Sequence, residues 1–177
     1  MRLDKAVALA AAMSVAGCAA PSPRAPPSAQ ALRALEAVHL DPAAAAAMLN
    51  AYRASHGLGP VRLDPALLTL AQRQADAMVA GDALSHDVAG SFFTRIEAAG
   101  VDTTRAAENI GGGYYSTEEA FAGWRASAEH DANLLMPQAT RFGIALAKEA
   151  RTQLRAYWAM EVAADPDRPA ALATAHP

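Results

Sequence analysis

The sequence predicts an α+β domain, with a small antiparallel sheet and helices packed over it. Two early segments open with Asp-Pro and close at glycine, which is how helices are punctuated. Late in the chain, "LRAYWAMEVAA" alternates Leu154, Ala156, Trp158, Met160 and Val162 with other residues, the period of a half-buried strand. The length of 177 residues suits one domain with its own core once segments at either end are set aside.

The elements follow in order. In "DPAAAAAMLNAYRASHGLG", Asp41 is the N-cap and Pro42 takes the first helical position; the helix closes near Gly57. Asp64 and Pro65 repeat the device in "LDPALLTLAQRQADAMVAG", which Gly81 ends. There Leu67, Leu68, Ala71, Ala75 and Met78 mark one buried face. "SFFTRIEAAG" predicts a short helix from Ser91 to Gly100, and Ser116 with Glu119 forms a capping box at the head of "STEEAFAGW". Strands are expected over Glu108–Gly112, over Phe142–Ala147 and from Leu154, with residues 148–153 as a hairpin connection.

The termini read differently. Residues 1–17 carry Arg2 and Lys5 ahead of an apolar run, Ala6 to Val15, too short to span a membrane as a mature helix, so they read as an export signal. The run ends in "VAGC", which resembles a bacterial lipobox, making Cys18 the lipidated first residue of the mature chain; the alternative is an ordinary signal peptide with an incidental cysteine. Residues 18–40, with "PSPRAPPSAQ", predict an extended tether, and residues 165–177 a disordered tail. Cys18 is the single cysteine, so no intramolecular disulfide forms, and lipidation leaves neither a thiol nucleophile nor a disulfide-linked partner. The partner expected instead is a membrane, through the lipid. Ala19 and Ala20 carry no aspartate retention signal, which favours the outer membrane in a Gram-negative host. A formal charge of −3 without a long basic run argues against nucleic acid.

Three polar residues stand out. His86 in "LSHD" and His130 in "SAEHDANLL" both fall where a helix is expected to end, and Glu108 lies between them in "TRAAENIGGGYY". Glu108 sits among small residues in a buried strand candidate, and a buried charge needs a partner or a metal. No local motif joins the three. By pattern alone, unrelated polar groups met by local backbone are the better reading. Arg95 is expected to pair with an acid; Trp124, Trp158, Tyr114, Tyr115 and Tyr157 are expected in the core; His56 is expected to cap its helix.

Seven segments in order, "LNAYRASHGLGPVRLDPALLTLAQRQADAM", "SHD", "FTRIEAAGV", "AENIGGG", "GWRASAEHDANLL", "FGIALA" and "YWAMEV", resemble bacterial CAP (SCP-like) domains over roughly Asp41 to Ala164. The resemblance implies a domain over 41–164 with an α–β–α sandwich fold. It also implies a central cleft in which His86, Glu108 and His130 correspond to the family's cleft residues. Two imidazoles and a carboxylate suit Zn²⁺ or another divalent cation. Ser127 stands where many eukaryotic members have a second glutamate, and Glu129 and Asp131 flank His130. Three functions stay open at this point. One is an envelope-anchored domain binding a ligand or divalent ion in the cleft. Another is a hydrolase using metal or Glu108 as general base. The last is a lipid-binding or envelope interaction module.

Overall fold

The computed structural model describes residues 26–166. Its helices are α1 (Ala29–Glu36), α2 (Pro42–Ser55), α3 (Pro65–Gly81), α4 (Phe92–Ala98), α5 (Thr117–Arg125) and α6 (Ala128–Leu134). Its strands are β1 (Arg62–Leu63), β2 (Ala106–Gly112), β3 (Arg141–Lys148) and β4 (Ala156–Ala163), in the sheet order β1-β3-β4-β2. β4 pairs antiparallel with both neighbours, but β1 runs parallel to β3, so the sheet is mixed rather than antiparallel. The connection from β1 to β3 contains α3, and only such a crossover returns a strand in the same direction.

Local chemistry sets the helix ends. Asp41 Oδ1 accepts from the N–H groups of Ala43 and Ala44, and Asp64 Oδ1 from those of Ala66 and Leu67. Ser116 Oγ accepts from Glu119 N–H, while Glu119 Oε2 accepts from Tyr115 N–H at 2.6 Å, so the box closes one residue upstream of its usual donor. α3 runs through Gly81. It is Asp82, with φ +43°, that takes the left-handed turn, and its carboxylate accepts from Gln153 N–H and Tyr157 O–H. The helix end is thereby tied to the β3–β4 connection.

β4 is covered on both sides, not half-buried. Trp158, Met160 and Val162 pack with Leu49, Phe121 and Trp124, while Tyr157 and Ala159 lie under Ala71, Ala75 and Met78 of α3. Its alternation records a change of buried neighbour rather than a change from core to water. α3 crosses β3 at Gly143, where the backbone of Leu67 and Leu68 leaves no room for a β-carbon. On the other layer, buried Arg53 of α2 donates to the carbonyls of Gly59, Leu134, Met136 and Ala139, which fixes the end of α6. Burial lowers its pKa from the ordinary arginine value.

The folded region extends past the expected limits. α1 lies within the stretch read as tether. Leu35 and Val38 are buried, and Lys148 Nζ donates to the carbonyls of both. The sequence reading missed α1 because prolines just before it dominate the composition. Asp165, assigned to the tail, accepts from Arg62 and donates its N–H to Thr140 Oγ1. The signal segment 1–17, Cys18 and residues 167–177 lie outside the described residues.

Candidate functional site

β2 is an edge strand, and Glu108 stands directly opposite Glu161 of β4. The Glu108 side chain is 2% exposed. Arg95 Nη2 donates to Oε1 at 2.9 Å and to Oε2 at 2.8 Å, and His86 Nδ1 lies 2.7 Å from Oε1. Both carboxylate oxygens accept from a guanidinium, so the group is an acceptor toward His86 as well. Nδ1 therefore carries a ring proton, which leaves Nε2 outside this contact on a half-exposed imidazole.

The loop after α3 holds His86 there. Arg95 Nη2 and Gln74 Nε2 both donate to the His86 carbonyl, Gln74 also donates to Ser85 O, and Arg95 Nε donates to Gly90 O. Two buried side chains, from α3 and α4, thus fasten the backbone that carries the imidazole. Arg95 also meets the expectation that it pairs with an acid.

Glu161 is fully buried, and its Oε1 lies 4.0 Å from Arg95 Nη1. Its carboxyl also faces that of Glu108 closely enough for a hydrogen bond between the two side chains. Burial first, then the negative charge of Glu108, pushes its pKa well above the ordinary carboxyl range, with Arg95 offsetting only part. Of the two facing carboxyl groups, Glu161 is the one whose environment favours the neutral form, with Arg95 bound by Glu108. Sequence reasoning missed Glu161. The signal was a lone acid on the same face of an apolar strand as Tyr157 and Ala159.

His130 lies inside α6 rather than after a helix end. Its Nδ1 is 2.9 Å from Ser127 Oγ, and its carbonyl accepts from Asn109 Nδ2. Asn133 of α6 donates to Asn109 Oδ1. Neighbouring residues of a strand project to opposite faces, so α6 packs on the Asn109 face while Glu108 points to the other. The structure brings His86 and Glu108 into direct contact, whereas the contacts of His130 are to Ser127 and Asn109. Asp131, beside it, accepts from Tyr52 O–H at 2.7 Å and ties α6 to α2. That hydrogen bond, more than burial, raises the Tyr52 pKa.

Both oxygens of Glu108 are engaged by a built-in cation, and among the described residues no three His, Cys, Asp or Glu side chains are grouped to hold a metal.

A model of the CAP group, the cysteine-rich secretory protein family, matches residues 46–162. The chain belongs to this family. Among solved structures, the CAP domain is similar to an extracellular SCP-domain protein of Bacillus anthracis, at TM-score 0.63 and 22% identity over 70% of this chain. It covers 40% of that protein's length. An outer surface protein of Borrelia burgdorferi gives TM-score 0.61 at 16% identity, over 67% of this chain and 88% of that one. A cysteine-rich secretory protein of Staphylococcus aureus gives 0.57 at 16% identity, over 68% and 37% respectively. At these identities the likeness is one of fold. No curated protein sequence matches.

Proposed function

We propose that this CAP domain is an extracytoplasmic binding module whose contact atom is His86 Nε2. The observation that carries this reading is the 2.7 Å contact between His86 Nδ1 and Glu108. Glu108 is itself held by Arg95, so the neutral imidazole is fixed in one tautomer, with Nε2 as its acceptor outside that contact. Such an atom accepts a hydrogen bond from a hydroxyl or amide of a bound solute. Export and lipid attachment at Cys18 belong to the same reading. They are supported by the apolar run ahead of "VAGC" and by the extracellular and surface origin of the similar folds.

The same pair favours a second reading, general-base hydrolysis. An imidazole oriented by a buried carboxylate is equipped to take a proton from water, and the protonated ring is then stabilised by Glu108. One set of proteins separates the two: wild type, His86→Gln and Glu108→Gln. Binding of a panel of sugars, amino alcohols and N-acetyl amino amides is followed by saturation-transfer NMR, and hydrolysis of p-nitrophenyl acetate by absorbance. Binding expects saturation transfer to a solute to vanish in His86→Gln, with no turnover in any protein. Hydrolysis expects a rate above buffer that falls in both variants. Saturation transfer that persists unchanged in His86→Gln would place the site elsewhere.

A further inference from the structure

β2 forms an edge of the sheet, and its free side floors a recess of about 400 Å³. Phe93 and Ile96 of α4 wall one side; Asn133 and Met136 wall the other. Gly113 N–H donates to Ala156 O and Ala164 N–H to Arg105 O, so the odd-numbered residues of β2 are the ones bonded to β4. The N–H and C=O groups of Ala106, Glu108 and Ile110 therefore point outward. Side chains meet two of them: Asn133 Nδ2 donates to Glu108 O at 3.3 Å, and Trp124 Nε1 to Ile110 O at 3.0 Å. On the floor of the recess, no hydrogen bond from the described residues reaches Ala106 N–H or Ala106 C=O, and none reaches Glu108 N–H next along the edge. Above it stands Phe93, 81% exposed.

We propose that this recess takes an extended peptide segment of another protein, added to β2 as a further strand. Unpaired donors and acceptors at strand spacing match a peptide backbone, and the apolar walls match its side chains. The peptide residue opposite Ala106 exchanges both backbone bonds with it. Its side chain falls on the Ala106 face, beside Ile96 and Phe93, and is apolar; the residues flanking it point toward Met136. A second copy of this chain is a poor occupant, because its own β2 edge is recessed between the same walls and two recessed edges do not meet. The proposal uses the backbone of β2 and does not depend on His86.

The test is amide NMR of the ¹⁵N-labelled full chain with positional-scanning pools of acetylated, amidated hexapeptides at ~1 mM, the concentration at which weak sites fill. Expected are shifts at Ala106 and Glu108, with Leu, Ile, Val or Phe preferred at one position. Ala106→Pro removes an N–H that faces away from β4 and should weaken binding about three- to tenfold. Should that variant not fold, Phe93→Ser, at an exposed site, should weaken it instead. The proposal is overturned if no pool moves those two amides. It is equally overturned if Phe93→Ser and a folded Ala106→Pro both bind like wild type. A concentration-dependent doubling of mass that disappears in Ala106→Pro or Phe93→Ser would assign the edge to a second copy and overturn it too.

Discussion

Arg95 holds together the polar interior beside His86. Its guanidinium faces the carboxylate of Glu108 and the carboxyl of Glu161, and it also anchors the His86 backbone. Replacing it with methionine leaves the buried Glu108 charge with the His86 contact alone, so Arg95→Met should cost about 3–5 kcal/mol in urea unfolding. Glu161 responds to pH in a direction its burial dictates. Its folded pKa lies above the ordinary value of 4.5, so the native state binds the proton more tightly than the unfolded chain. That contribution is fully present below the unfolded value and is lost as pH rises through the folded one. Glu161→Gln keeps the shape without the titration, so its stability relative to wild type should increase from pH 5 to pH 8. Urea midpoints of both proteins at the two pH values decide it. A constant difference would mean that the folded Glu161 carboxyl is ionised over that range just as in the unfolded chain, so that burial does not raise its pKa.

The elements differ in how legible they are in the sequence. Asp-Pro starts identify α2 and α3 because an N-cap and a fixed φ act within a few residues. β1 is invisible there: it is two residues long, and its place comes from Asn50, which bonds both the N–H and the C=O of Val61, and from β3, far along the chain. Glu108 and His86 stand out as candidates through the family resemblance, but their pairing needs the register of β2 and the path of the loop. The contacts of His130 with Ser127 and Asn109 are likewise not readable from spacing. Gly143, within "FGIALA", shows no role in the sequence. Its role is the crossing of α3, and Gly143→Ala should cost about 1–3 kcal/mol as α3 is pushed off the sheet, with a lowered urea midpoint as the readout.

Across the whole molecule, the α+β class and the buried aromatics follow from composition and period, since burial of Trp124, Trp158 and Tyr157 needs only an apolar neighbourhood. Strand direction and the limits of the domain do not, because both depend on contacts between distant segments. Those distant contacts also impose an order of assembly. Among the pairings of the sheet, only β3 with β4 joins strands that are close in sequence; β1–β3 and β2–β4 must each close a long loop. Loop closure opposes the distant pairings until something is in place to receive them. The hairpin should therefore form the nucleus. In stopped-flow experiments Ile144→Val, in β3, should chiefly slow refolding, whereas Leu49→Ala, in α2, should chiefly speed unfolding. The reverse assignment would put the first structure in the helical layer. If the hairpin leads, a chain made from its N-terminus onward holds no template for its sheet until its last strand has appeared.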